Sequence, residues 1–384
     1  MISKQQIEER YRDVFESAPA HIVRSPGRIN IIGEHTDYNE GFVLPTAIDK
    51  AIYVGLGKRA DDLIRLYAED FSAYFEISLA AIQPVETGWP NYVLGVVDQL
   101  KRRGHTLGGF NMYIDGDVPL GAGLSSSAAL ECAVGYALNV LFDLAIDRVE
   151  LAQIGQQAEH TYAGVKCGIM DQFASVMSKA GHVVKLDCRD LSFSYEPLEL
   201  GDYAILLLNT NVKHSLASSA YNDRRAACEE GVRLVQQALP TVKSLRDVSV
   251  EDLEQYVKPV DTDVYTKCRF VVEENERLNS VCTALEAGDL ETVGQRMFRA
   301  HEGLSKEYEV SCPELDFLVD YVKAFPEVIG ARMMGGGFGG CTINLVKKSF
   351  QDLLVERLSP IYRDRFGLEL TAIKVQPSDG TTSL

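Results

Sequence analysis

Two runs of β-branched and aliphatic residues, AIYVGLGKR at 51–59 and LIRLYAE at 63–69, stand three residues apart. A connection that short joins antiparallel neighbours and leaves no room for a crossover helix. The pair therefore reads as a hairpin. A hairpin within a chain that otherwise alternates strands with helices points to mixed α+β and away from a doubly wound parallel sheet. Further strand signals lie at 28–32, 110–115, 182–187, 203–209, 341–346 and 371–376. The segment 91–103 has apolar residues at 92, 93, 96, 97 and 100 and closes on basic residues, as the negative end of a helix dipole favours. The run 125–142 is apolar almost all round and reads as a buried helix. Helix signals also cover 1–18, 150–164, 219–239, about 265 to 305, 314–325 and 349–366. Strands are denser in the first half and helices in the middle. The segment 187–202 is the expected join, which gives two α+β units, 1–195 and 196–384.

The 384 residues carry a net charge of −17, so the chain has no basic footprint for nucleic acid and no polybasic patch for a membrane surface. An anionic ligand would have to be held by local devices: helix N-termini, glycine-rich backbone and a few arginines. The N-terminal stretch lacks the apolar core of a signal peptide, and the apolar run AILLLN at 204–209 is far too short to span a bilayer. The expectation is a cytoplasmic protein. Its eight cysteines include no CxxC pair, which argues for reduced thiols over zinc ligands or a disulfide framework.

Four stretches could carry chemistry. GRINIIGEHTDYNEGFVLP, 27–45, runs from a strand into a polar turn and crowds Arg28, Glu34, His35 and Asp37 beside glycines. DVPLGAGLSSSAAL, 117–130, places Gly121 and Gly123 before Ser125, Ser126 and Ser127, which open the apolar helix. Glycines let backbone approach a ligand, and serine caps leave helix N–H groups facing an anion; the same residues also suit a plain N-capped core helix. No lysine makes this a Walker loop, and Val118-Pro119-Leu120 separates the glycines from the preceding strand, unlike a dinucleotide fingerprint. RMMGGGFGG, 332–340, has five glycines in six residues between strand-like flanks, a density suited to close packing against another loop or a ligand. AEHTYAGVKCGIMDQFAS, 158–175, sets Asp171 among apolar residues, as a helix cap or a partly buried base, with Glu159 on the preceding helix. Tyr221, in AYNDRRAA beside Arg224 and Arg225, reads as an amphipathic contact or part of a solvated helix face.

In order and spacing these stretches resemble the galactokinases, members of the GHMP small-molecule kinase superfamily, over residues from about 20 to 345. The resemblance implies a two-lobed α+β fold with the active site between lobes. It also implies ATP-dependent phosphorylation of the anomeric hydroxyl of galactose, giving galactose 1-phosphate and ADP, a step of galactose catabolism. By the same resemblance Asp171 is the catalytic aspartate, which accepts the proton of the anomeric hydroxyl or orients that hydroxyl for attack, and Arg28 is its charge-stabilising partner. Glu34, His35, Asp37, Gly168 and Tyr221 bind the sugar, and Gly121, Ala122, Gly123, Leu124, Ser125, Ser126 and Ser127 hold the ATP phosphates. Trp89 and Tyr92 lie beside adenine, Ser127 and Glu159 hold Mg²⁺, and the glycines at 335–340 bring the second lobe close. Fixed carboxylates and an imidazole suit a sugar, whose hydroxyls each donate and accept. The implied partner is the small-molecule substrate alone, with the protein a monomer and with neither nucleic acid nor membrane. Two rival readings are a superfamily kinase for another substrate, such as N-acetylgalactosamine, arabinose or mevalonate, and a sugar- and ATP-binding sensor without turnover. Thr36 and Asn39 look more like the galactose version, and the presence of Arg28, Asp171 and a whole glycine–serine loop argues for catalysis.

Overall fold

The structure, a computed structural model, describes residues 2–212 and 217–384. The first half runs α1 (Lys4–Phe15), β1 (His21–Asn30), β2 (Phe42–Val43), β3 (Pro45–Lys58), β4 (Leu63–Ala68), β5 (Ala73–Ser78), α2 (Pro90–Arg102), β6 (Phe110–Gly116), α3 (Ser126–Phe142), α4 (Arg148–Ala158), α5 (Met170–Met177), β7 (His182–Asp187) and β8 (Phe193–Pro197). The second half runs β9 (Tyr203–Asn209), α6 (Ala217–Gln236), α7 (Val250–Tyr256), α8 (Thr262–Glu286), α9 (Leu290–Lys306), α10 (Pro313–Val322), β10 (Val328–Met333), β11 (Cys341–Lys347), α11 (Gln351–Phe366), β12 (Thr371–Val375) and β13 (Thr382–Ser383).

Six strands form one sheet in the order β13-β1-β3-β6-β4-β5, four form a second as β10-β11-β9-β12, and three form a third as β2-β7-β8. Only the β4–β6 pair is parallel among these, so the mixed α+β class stands. The expected hairpin of 51–59 with 63–69 does not form. β6 lies between the two strands, antiparallel to β3 and parallel to β4, while β4 turns back into β5. β6 buries Phe110, Met112 and Ile114 and suits a central place, whereas β5 is half exposed and suits an edge. Gly109 makes the insertion possible: its N–H donates to the Asp61 carbonyl at 3.2 Å and its carbonyl accepts from Arg59 N–H at 2.8 Å. A Cβ there would meet the Asp61 carbonyl oxygen at 2.4 Å.

The helix α3 packs its apolar surface against β1 and β3. The helical stretch expected over about 265–305 is two helices, broken where Gly288 takes φ +70° and Asp289 caps α9 by accepting from Thr292 N–H at 3.0 Å. Helix α4 ends earlier than the expected 164 and continues as a π-turn over Glu159–Ala163, a rare geometry that often marks functional sites. The largest apolar core joins Ile29, Ile31 and Ala122 from the first half with Leu207, Leu278 and Ile343 from the second. That shared core fixes the exit of β1, the N-terminus of α3 and the two ends of the β10–β11 loop, while Ile169, Met170 and Phe173 at the start of α5 pack in a separate cluster with Val43 and Cys132. No helix among the described residues is long and apolar enough to cross a membrane.

Candidate active site

Arg28, near the end of β1, is buried and directs its guanidinium across to the first turn of α5. Its Nε donates to Asp171 Oδ1 at 2.7 Å and its Nη2 to Oδ2 at 2.8 Å, a two-pronged ion pair. Its Nη1 donates to the Gly123 carbonyl at 2.7 Å, and its backbone N–H to the Leu124 carbonyl at 3.1 Å, so strand and glycine loop are tied together. Ser125 Oγ donates to Asp171 Oδ2. The serine cap expected at α3 is therefore absent: Ser125 sits in the left-handed region at φ +57° and its hydroxyl serves Asp171. Asp171 is likewise no helix cap, since Ile169 holds that place and makes no side-chain cap bond.

Arg28, Glu34, His35, Asp37, Gly168, Asp171 and Tyr221 line one cavity of about 250 Å³, together with Glu159 and the backbone of Gly335–Gly337. Glu34 is almost wholly spoken for. Its Oε1 accepts from both Nη atoms of Arg332 at 3.0 Å and from Gly335 N–H at 2.9 Å, and its Oε2 from Asn30 Nδ2 at 3.0 Å. Arg332, fully buried on β10, also donates to the carbonyls of Ile31 and Met333. The sequence alone assigns Arg332 no role; its signal there is a lone arginine ahead of a glycine run at the end of an apolar strand.

Asp37 stands in a short 3-10 turn, and its carboxyl is pushed up to about 7 by burial and by the nearby charge of Asp171. Gly168 is what leaves room for it: a Cβ at 168 would fall 1.9 Å from Asp37 Oδ2. His35 occupies the left-handed region at φ +63°, and burial pushes its imidazole down to about 4, which keeps the ring neutral. Its Nδ1 bonds Tyr38 Oη at 2.8 Å. Its Nε2 is buried and has no hydrogen-bond partner. Tyr221 is no solvated face; its ring packs on His35 with centroids 5.3 Å apart, and Gly336 lies against its other edge.

The glycine–serine loop alternates. Ala122 and Leu124 bury their side chains in the core, and Gly121 and Gly123 face solvent, so any ligand contact there falls to backbone and to Ser125–Ser127. The second glycine loop packs close. A Cβ at Gly340 would touch the Ala122 carbonyl at 3.4 Å, and one at Gly337, where φ is +83°, would overlap the Val310 carbonyl at 2.1 Å. A second, more apolar cavity of about 160 Å³ opens beside Ser126 and Ser127 and is lined by Trp89, Tyr92, Phe71, Ile114 and Leu120. Between the two cavities, Ser127 Oγ donates to Glu159 Oε1 at 3.1 Å, and Gln172 Nε2 bridges Glu159 Oε2 at 2.8 Å and Glu131 Oε2 at 2.9 Å. Burial, then the charge of Asp171, pushes Glu159 up to about 7. A buried carboxylate short of positive charge beside a hydroxyl is a hard-oxygen donor pair of the kind Mg²⁺ accepts alongside phosphate oxygens. Among the described residues no cluster of three or more His, Cys, Asp or Glu side chains could hold a metal without such help.

Three family models match the chain: a galactokinase galactose-binding signature over residues 9–58, the GHMP kinase N-terminal domain over 91–179 and the GHMP kinase C-terminal domain over 283–359. A curated galactokinase from a Roseiflexus species is 42% identical over 99% of this chain and 97% of its own. One from Chloroflexus aurantiacus is 45% identical over 94% of this chain and 92% of its own. The crystal structure of Lactococcus lactis galactokinase complexed with galactose superposes with a TM-score of 0.95 at 35% identity, covering 99% of each chain. With the signature spanning the β1 exit, and with identity above 40% along nearly the whole length, the chain belongs to the galactokinase family of the GHMP kinases.

Proposed function

We infer that the protein transfers the γ-phosphoryl group of ATP to the anomeric hydroxyl of galactose, giving galactose 1-phosphate and ADP. The observation that carries this is Asp171, gripped by Arg28 and Ser125 where the polar cavity meets the glycine–serine loop. A carboxylate offers about four lone-pair sites, and three are occupied: one on Oδ1 and two on Oδ2. The remaining site on Oδ1 is available to a sugar hydroxyl. In that role Asp171 takes the proton as the hydroxyl oxygen bonds to phosphorus and the bond to the ADP oxygen breaks. Arg28 holds the carboxylate in place and adds positive charge beside the transferring group.

The remaining residues divide by cavity. Glu34, His35, Asp37, Gly168 and Tyr221 form the sugar side, with Glu34 acting chiefly through the glycine loop it anchors. Trp89 and Tyr92 line the apolar cavity as the adenine side, and the backbone of 121–124 with Ser125–Ser127 holds phosphates. Ser127 and Glu159 would hold Mg²⁺, which neutralises phosphate charge when bound. The division into lobes at about residue 195, a monomeric state and a cytoplasmic location belong to the same proposal. ADP release from Mg-ATP across galactose, 2-deoxygalactose, N-acetylgalactosamine, arabinose, glucose and mevalonate tests it. Selective turnover of galactose is expected. Galactose binding without ADP release would move the protein to a sensing role.

A further inference from the structure

We propose that Ser175 and Thr381 are positioning residues for phosphoryl transfer, holding α5 on β1 so that Asp171 meets Arg28 at the reacting centre. The inference rests on Asp171 being the residue that handles the proton of the sugar hydroxyl. Strand pairing alone does not fix where Arg28 stands. β1 pairs with β3 as far as Pro26, opposite Ala51, and resumes at Arg28, opposite Ala47. Gly27 thus spans Ile48, Asp49 and Lys50, a register break of the kind that admits a proline within a sheet. Both margins of the break are held by other parts of the chain. On the β3 side, the segment 376–378 after β12 supplies partners. Asp49 N–H donates to the Gln376 carbonyl at 2.9 Å, Ser378 N–H to the Ala47 carbonyl at 2.9 Å and Ser378 Oγ to the Ile48 carbonyl at 2.6 Å. On the β1 side, Ser175 Oγ donates to the Pro26 carbonyl at 2.7 Å.

Ser175 lies about one turn after Asp171 on α5, so the two side chains share a face of the helix. From that face Asp171 reaches Arg28 and Ser175 reaches Pro26, two rungs between one helix and one strand. Thr381 closes the second rung. Its N–H and its Oγ1 both donate to the Ser175 carbonyl, at 2.8 and 2.9 Å. Ser25 Oγ stands 2.8 Å from Thr381 Oγ1 and 3.0 Å from Ser175 Oγ. Arg148 Nη1, from α4, donates to the carbonyls of Thr381 at 3.0 Å and Val176 at 2.7 Å. Gly380 lets the segment pass this near, since a Cβ there would meet the Val176 carbonyl oxygen at 2.4 Å. Ser25, Ser175 and Thr381 are buried, so loss of one hydroxyl leaves a partner unpaired away from water unless the helix shifts. All three stand apart from the residues lining either cavity. Their effect therefore falls on the placement of Asp171 and not on ligand contacts, and phosphoryl transfer depends on placement.

The test is steady-state kinetics with galactose and Mg-ATP on the full chain and on Ser175→Ala, Thr381→Val and Thr381→Ser, with the galactose Kd of each by calorimetry. Ser175→Ala and Thr381→Val should lower kcat about tenfold, within what an ångström-scale misplacement costs, and leave the galactose Kd and both KM values near wild type. Thr381→Ser keeps the hydroxyl and should recover most of kcat. Kd and kcat worsening together, or Thr381→Ser losing as much as Thr381→Val, would assign the cluster to packing and overturn the proposal. A residue that acts through Asp171 has little left to lose once the carboxylate is gone. Ser175→Ala should therefore lower kcat little or not at all in the Asp171→Asn background, and losses that multiply would overturn the proposal. Variants that match a wild type releasing ADP would overturn it too. A wild type that binds galactose and releases no ADP would overturn the catalytic reading itself, and the proposal with it.

Discussion

At the scale of single residues the site works by crowding acids and then satisfying them unequally. Asp171 has an arginine fork and a serine; Asp37, on the same cavity, has neither, and burial together with the charge of Asp171 raises its proton affinity. The difference predicts different losses. Asp171→Asn keeps the shape and removes the base, so kcat should fall about 10²- to 10⁴-fold. Galactose binding by calorimetry should remain measurable, and wild-type turnover would refute the base assignment. Ionised Asp37 gives a sugar hydroxyl a charge-assisted acceptor that the protonated carboxyl lacks. With its carboxyl raised to about 7, kcat/KM should climb as pH rises through about 7 and level above it, and Asp37→Asn should flatten that limb. The sign for stability is opposite. A carboxyl raised on folding favours the protonated state, so its contribution is complete below the ordinary carboxylate range and is lost as pH rises toward 7. Gly168→Ala places a methyl 1.9 Å from Asp37 Oδ2. The side chain can swing away, so the fold should survive while KM for galactose rises about tenfold or more, the scale of one or more lost hydrogen bonds. An unchanged KM for galactose would show that Asp37 need not stand where it does.

At the scale of elements, the exit of β1, the turn that follows it and the β10–β11 loop are locked together by Arg332 and Glu34. Arg332 lies 298 residues from Glu34 in sequence, yet the two are fully buried together, with Gly335 N–H on the same carboxylate oxygen. Arg332→Met should therefore cost about 3–5 kcal/mol in urea unfolding, because it leaves Glu34 buried and unpaired; pairing it with Glu34→Gln should restore part of that. Equal stability of the single and double variants would exclude the pair as the source of the loss. The contrast shows what the chain discloses locally. The stretches 27–45, 117–130, 158–175 and 332–340 were each odd enough in glycine or charge to be noticed alone, and all four meet at the cavity. Partners distant in sequence were not legible. Ser125 looked like a helix cap because its neighbours are helical, and its real bond reaches Asp171 on another helix. The β6 insertion escaped for the same reason: strand propensity is local and strand order is not, and Gly109, which admits the strand, reads alone as an ordinary turn glycine.

At the scale of the whole molecule, an acidic protein of net charge −17 binds a polyanion only where local geometry overcomes the overall field. On the proposed function, that place is where the glycine–serine loop, Arg28 and the second glycine loop converge. The two cavities draw on the chain differently. The apolar one is lined entirely from residues 52–130, whereas the polar one takes Arg28 to Asp37, Glu159 to Asp171, Tyr221 and Gly335 to Phe338. A ligand in the polar cavity therefore bridges both halves and adds its binding free energy to the unfolding of the molecule as one unit. At a hundred times its Kd that addition is about 2.7 kcal/mol. Galactose should raise the thermal midpoint of the wild type and of Asp171→Asn to a similar extent, because binding does not need the base. It should leave Asp37→Ala nearly unmoved at the same concentration. Trp89, the single tryptophan, lines the other cavity, so its fluorescence should respond to ADP and stay unchanged with galactose alone. A thermal shift in Asp37→Ala equal to the wild type's would place the sugar elsewhere. A galactose-induced change at Trp89 without nucleotide would mean that the halves move together when the first substrate binds.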